Sequence, residues 1–362
     1  MTVSAEPSGG VQGQGHFKAA ERAISARLSV IVPAYNCPEQ LRACLTAILA
    51  QADEHTQVIV ADDASTDATV CVAQDMGAEV VRLAKNSGPA AARNEGVAKA
   101  TGDILIFIDA DVVIGTGVLE RVCRTFEQSP HIAALFGSYD TQPREQGLIS
   151  QYRNLLHHIM HQAAQEEAHT FWSGLGAVRR EIFLKVWGFD TQKFPKPSIE
   201  DIEFGHRLRQ AGEQIRLDKG LLGTHLKRWN FISMVRTDIF DRAYPWTCLI
   251  LRSGKVANDL NVSTDQRVSV MLTPLIILGL VLGFYYWLWF GVSIAALAAM
   301  VFVNRWIFAK FFKIRGLGFA MLCIPLHVVY LTSSGIGGAL ALIEVGLNSL
   351  KITKRSERVV SE

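Results

Sequence analysis

From Val268 to Asn304 the chain runs for 37 residues without a charged side chain. As one helix that run would be about 55 Å long, too long for a hydrocarbon core of about 30 Å. Two closely spaced spans fit, turning at the cluster Tyr285, Tyr286, Trp287, Trp289, Phe290 and Gly291, because Trp and Tyr settle at the lipid–water interface. The segment Arg305–Arg315 is basic and reads as cytoplasmic. A third span is expected from about Phe319 to Ile343, which leaves Lys351, Lys354, Arg355 and Arg358 on the wrong side of the positive-inside rule. A broken or re-entrant helix around Ser333–Gly338 would return them. The reading is therefore multi-pass: about three spans in residues 267–346 and a basic tail over 347–362, with the lipid bilayer as a partner. Buried helices of a large soluble protein would not carry an uncharged run this long.

Only 19% of residues are charged, against roughly 25% in soluble domains, and the mean hydropathy is +0.20. That excess sits in the C-terminal third. Lys and Arg total 36 against 34 Asp and Glu, a balance that excludes a bulk electrostatic nucleic-acid binder and an acidic disordered chain. Residues 1–26 are rich in Gly, Ser, Gln and Ala without an apolar stretch. They read as a disordered tail, neither signal peptide nor anchor, which keeps the following domain cytoplasmic. The six cysteines show no CxxC pair or zinc spacing and read as free thiols in a reducing compartment.

Residues 27–229 alternate strand-like and helix-like stretches. Strands are expected at Leu28–Val32, Gln57–Ala61, Glu79–Leu83 and Ile104–Ile108, with helices at Pro38–Ala50, Ala68–Met76 and Pro89–Ala100. This alternation implies right-handed βαβ units and a mostly parallel, Rossmann-like sheet. Ligands bind such sheets at the carboxyl ends of the strands. The loops there are acidic. Asp62-Asp63-Ala-Ser65-Thr66-Asp67 follows the second strand; Ser65, Thr66 or Asp67 could cap the next helix, but capping leaves the Asp pair unexplained. Asp109-Ala110-Asp111 follows the fourth. Two carboxylates at a buried strand's mouth are costly unless neutralised, and hard oxygen ligands with room for phosphate describe a Mg²⁺ or Mn²⁺ site.

Four segments occur in order: Ser29-Val-Ile-Val-Pro-Ala-Tyr-Asn36, Ala61-Asp-Asp-Ala-Ser-Thr-Asp-Ala-Thr69, Asn86-Ser-Gly-Pro-Ala-Ala-Ala-Arg-Asn94 and Phe107-Ile-Asp-Ala-Asp-Val112. Together they resemble the inverting family 2 glycosyltransferases of the GT-A fold. The resemblance covers roughly Arg27 to Trp229 and continues through Val186–Asp190, Glu200–Gly205 and His225–Trp229. It implies that Pro33, Ala34 and Tyr35 lie against the base and ribose of a nucleotide sugar, a UDP-sugar by default. Asp63 would accept a hydrogen bond from the base, with Asp62 beside it. Arg93 would lie near the nucleotide, or else pair within its helix. Asp109, Ala110 and Asp111 match the metal-binding DxD, Asp111 ligating directly and Asp109 facing the ribose or sugar.

Inversion needs a base opposite the leaving diphosphate. Glu200-Asp201 matches the family's ED pair and assigns that role to Asp201, although acidic residues also suit a helix start. His225-Leu-Lys-Arg228-Trp229 resembles a QxxRW-like element with His in place of Gln. His225 either completes the metal's coordination or is a satisfied loop residue; Arg228 and Trp229 would serve the donor. That element is best known in processive synthases, but too few spans follow for a pore, so single addition is expected. Residues 230–266 mix large apolar side chains with Arg236, Arg242 and Arg252, as helices in a bilayer interface do. The acceptor is accordingly expected at the membrane, for instance a polyprenyl phosphate or glycolipid. A non-catalytic nucleotide-sugar-binding scaffold and a nucleotidyltransferase are the other readings of the same carboxylates.

Overall fold

The computed structural model describes residues 27–253 and 263–360, with side chains to residue 347. The expected N-terminal tail and part of the interfacial segment lie outside the described residues.

In chain order, β1 (Leu28–Ala34), α1 (Pro38–Leu49), β2 (Thr56–Asp62), α2 (Thr69–Asp75), β3 (Glu79–Arg82), α3 (Pro89–Lys99) and β4 (Ile104–Ile108) follow the expected alternation. These strands pair in parallel in the order β3-β2-β1-β4. After them come β5 (Val112–Ile114), α4 (Val118–Gln128), β6 (Ile132–Tyr139), α5 (Leu148–Ala163), β7 (Glu167–Ala168), β8 (Leu175–Arg179), α6 (Arg180–Lys185), α7 (Glu200–Gln210) and β9 (Gln214–His225). Beyond β4 the sheet is mixed. β8 runs antiparallel to both β4 and β6, while β9 is parallel to β6 and antiparallel to β5 and β7.

Strand side chains alternate between the two faces, and both faces are covered. Val30, Val32, Ile104 and Ile106 pack with Leu41, Leu45, Val122 and Phe126 from α1 and α4. Ile31, Ile59, Leu105 and Phe107 pack with Val97, Phe183, Phe204 and Leu208 from α3, α6 and α7. Unbroken apolar runs such as Ile104–Ile108 are what a strand buried on both faces requires. The result is a three-layer α/β domain.

A third cluster joins this domain to the C-terminal helices. After α8 (Phe231–Arg236) the chain makes a π-helical turn, Thr237–Ala243, and continues as α9 (Tyr244–Ser253). The remaining helices are α10 (Thr264–Gly283), α11 (Leu288–Val303), α12 (Arg305–Arg315) and α13 (Leu317–Val360). Helices α10 and α13 are long and apolar enough to cross a membrane; α11 reaches that length only together with α12, across a 71° bend. The break between α10 and α11 falls at the predicted aromatic cluster, where Phe284 to Trp287 are exposed. At the hairpin's other end Asn304 accepts from Gln266 Nε2 (3.0 Å) and donates to Ser269 Oγ (2.7 Å), a polar clasp between apolar helices. The basic α12 buries Ile307, Phe308 and Phe311 in this cluster, where the Phe311 ring meets Tyr152 of α5 at 5.8 Å. Its Arg315 donates to Gln151 Oε1 (3.1 Å) and to the Thr141 carbonyl (2.7 Å).

One expectation is corrected. Residues 333–338 form no break, and α13 runs through them. The small residues there allow close packing instead: a Cβ on Gly337 would lie 2.7 Å from Ala243 Cβ and 2.8 Å from the Ile239 carbonyl oxygen. A local pattern of Ser and Gly reads as a weak helix, but here it lets the π turn approach α13.

Candidate active site

Parallel register pairs Ala34 with Asp62 and Ile31 with Phe107, so the carboxyl ends of β1, β2 and β4 emerge side by side. A cavity of about 790 Å³ opens over them, walled on the far side by α5 and by the helices after β9. Of the residues singled out in the sequence, Pro33, Ala34, Tyr35, Asp63, Arg93, Asp109, Ala110, Asp111, Asp201, His225 and Trp229 line it. Asp62 and Arg228 do not.

The adjacent aspartates at the end of β2 point apart, as successive residues of an extended chain do, and the chain then turns through Ala64 in a left-handed backbone, φ 62°. Asp62 is fully buried, accepts the Ser65 N–H at 3.1 Å and faces Arg82 Nε at 3.3 Å. It braces the loop. Asp63 accepts the N–H groups of Ser87 (2.7 Å) and Gly88 (2.8 Å), one on each oxygen, and keeps lone pairs for a ligand. Burial raises its pKa, against the pull of those two donors. Gly88 sits at φ 86°, and a Cβ there would meet the Pro195 oxygen at 2.6 Å; only glycine fits.

After β4 the carboxylates again divide. Asp109 Oδ1 accepts from Arg93 Nη2 at 2.7 Å, and the same guanidinium gives Nη1 to Glu200 Oε1 at 3.0 Å. Arg93 therefore ties α3, β4 and α7 together, not its own helix. Asp111 Oδ2 lies 3.5 Å from His225 Nε2, because β5 and β9 pair Val112 with His225. Burial pushes the Asp111 carboxyl up, but His225 and Lys227 outweigh it and the net pKa is lowered. The Tyr139 ring stacks on His225 at 4.2 Å, fixing the imidazole plane. One carboxylate and one imidazole suit a hard divalent ion that draws its other ligands from phosphate and water. Among the described residues no three His, Cys, Asp or Glu side chains converge as a closed metal site.

Asp201, at the start of α7, accepts the Ser173 N–H at 3.1 Å. Burial and the neighbouring Glu200 push its carboxyl up to about 7, against the opposing charge of Arg93.

Residues 29–187 match the model described as Glycosyl transferase family 2. The chain carries a family 2 glycosyltransferase domain. An uncharacterized glycosyltransferase of Haemophilus influenzae is 30% identical over 51% of this chain and 62% of its own length. Glycosyltransferase GlyA of Streptococcus pneumoniae is 33% identical over 55% of this chain and 27% of its own. The chain thus spans less than two thirds of these curated relatives. Mannosyltransferase PcManGT from Pyrobaculum calidifontis, solved in complex with GDP-Man and Mn²⁺, superposes with a TM-score of 0.53 at 18% identity over 87% of each chain. That likeness is one of fold, and the α/β domain has the GT-A architecture.

Within the glycosyltransferase domain the motifs hold one another. Asn94, which ends the third motif, donates to the Phe189 carbonyl (2.8 Å) and accepts the Phe189 N–H (3.0 Å). This clamps a turn in which Trp187 and Gly188 both have positive φ. Asn94→Ala removes both bonds and is expected to cost about 1–3 kcal/mol, read as a lower midpoint of chemical unfolding. An unchanged midpoint would show that the clamp adds nothing.

Sequence reasoning missed one wall of the glycosyltransferase cavity. Arg153, His157 and His161 of α5 line it, spaced four apart on one helix face. That stripe was visible in the sequence, but what it faces was not. His157 packs against Tyr139 (4.4 Å), His161 (3.9 Å) and Trp172 (4.6 Å), and burial keeps both histidines well below their ordinary pKa and neutral.

Proposed function

We propose that the protein moves a sugar from a nucleoside diphosphate donor to a lipid-linked acceptor at the membrane surface, inverting the anomeric carbon. The carrying observation is that Asp201, with a pKa of about 7, lines the same cavity as the Asp111–His225 pair. A base poised near neutrality can accept a proton at working pH. In this reading Tyr35 and Asp63 hold the base, uracil by default, and Asp109 and Ala110 lie against the ribose or sugar. Asp111 and His225 hold Mg²⁺ or Mn²⁺, whose charge offsets that on the departing diphosphate. The acceptor oxygen bonds to the anomeric carbon as the carbon–diphosphate bond breaks, and the acceptor's proton passes to Asp201.

PcManGT, of the same fold, was solved with a nucleotide sugar and Mn²⁺, which supports this donor and ion class. Docking of the basic α12 on the catalytic domain supports a cytoplasmic active site. The test is consumption of nucleotide sugars by the full-length protein in lipid nanodiscs, with and without a chelator. Metal-dependent release of nucleoside diphosphate is the expected result. Release of pyrophosphate, or binding without turnover on any acceptor or water, would overturn the reading.

A further inference from the structure

The wall opposite the strand ends carries positive charge that the donor-side reading does not use. Arg153 is 7% exposed and lines the cavity. Its Nη1 pairs with Asp238 at 2.8 Å, and its guanidinium lies over Trp229 (5.1 Å) and Tyr330 (5.9 Å). Its buried Nη2 has no hydrogen-bond partner. A guanidinium N–H left unsatisfied in a buried site is costly, so this donor is set to meet an acceptor atom that arrives with a ligand.

The π-helical turn supplies the rest. Bonds from i to i+5 bring residues five apart onto one face, so Thr237 and Arg242 both reach the cavity. The same turn brings Asp241 to this wall, where its carboxylate offsets part of the charge. Lys227, held over the Trp229 ring at 4.4 Å, adds a further cation, and Arg236 of α8 also lines the cavity. Cations crowded in this way favour an anion between them. Arg153 comes from α5 and Arg242 from the π turn, which packs against α13, a helix long and apolar enough to cross a membrane, and Trp246 of α9 lines this wall too.

We infer that Arg153, Arg242 and Lys227 form a binding site for the phosphate of the acceptor, entering from the membrane side. Calling the ligand an acceptor rests on the glycosyl-transfer reading; the anion site itself does not. Planar guanidinium groups match phosphate oxygens bidentately, and the adjoining apolar wall suits a lipid chain.

The experiment is a binding titration of the full-length protein in phosphatidylcholine nanodiscs, followed by tryptophan fluorescence. One arm uses a polyprenyl phosphate, a second the matching polyprenol, and a third soluble glycerol 3-phosphate. At least tenfold tighter binding of the phosphate over the alcohol is expected, lowered at least fivefold by Arg242→Gln and by Lys227→Gln. Both residues are solvent-exposed, so these variants avoid the folding risk of breaking the buried Arg153–Asp238 pair. If glycerol 3-phosphate binds as tightly and responds to the same variants, the site takes a free phosphate ester; weak binding of it assigns the lipid. Equal binding of phosphate and alcohol, or a preference that survives both variants, overturns the inference. So does competition by a nucleoside diphosphate, which would give these cations to the donor. Failure to consume any nucleotide sugar sinks the glycosyl-transfer reading alone, because the titration needs no turnover.

Discussion

Asp201→Asn is expected to lower turnover by about 10²–10⁴-fold while leaving nucleotide-sugar binding in place. Asparagine keeps the shape and can still accept the Ser173 N–H, but it cannot take a proton. The pH dependence follows from the same residue. Its folded-state pKa is raised to about 7 by burial and Glu200, so the carboxylate is present above that pH and lost as pH falls through it. kcat/KM of the wild type should therefore drop about tenfold per pH unit below 7, and the residual activity of Asp201→Asn should lack this limb. A wild-type plateau extending to pH 5, or full turnover in the variant, would remove Asp201 from the role of base.

Asp111→Ala is expected to lower kcat/KM by at least about 10²–10³-fold, the scale of losing one electrostatic partner of a leaving group. Added Mn²⁺ should no longer stimulate donor consumption. Stability should be little changed, since the Asp111 carboxylate is held loosely, 3.5 Å from His225, and takes no part in the buried Arg93 network. Asp109→Ala is the informative contrast. It leaves Arg93 with Glu200 alone in a buried site, and breaking such a pair costs about 3–5 kcal/mol. Calorimetry with Mn²⁺ and a nucleoside diphosphate, alongside thermal unfolding, separates the two variants. Metal binding retained by Asp111→Ala would reassign the ion.

Much of the α/β domain was legible because its signals are local. Ile104–Ile108 is a buried strand of β-branched and aromatic residues ending at charged carboxylates, and its predicted limits match those of β4. What escaped depends on residues far apart in the chain. Asp62 and Asp63 look alike in sequence, yet one is braced inside the loop by Ser65 and Arg82 and the other lines the cavity. Arg93 finds Glu200 across 107 positions, a partner that no helical spacing reveals. The Ser333–Gly338 segment was misread because its small residues weaken an isolated helix but favour a packed one.

The contact between α13 and the catalytic domain bears on how the protein can be handled. Tyr330 lies over Arg153, and Tyr152 bonds the ring of His327 at 2.9 Å; both partners of these α5 residues come from a helix apolar enough to span the bilayer. That helix thus also backs a wall of the candidate site. A water-soluble fragment ending before α10 would retain every strand-end carboxylate but strip the support from behind Arg153, uncovering its pair with Asp238. Swapping the helices for another protein's anchor would do the same. A change in these helices is therefore felt at Arg153, and the two parts of the protein are best altered together.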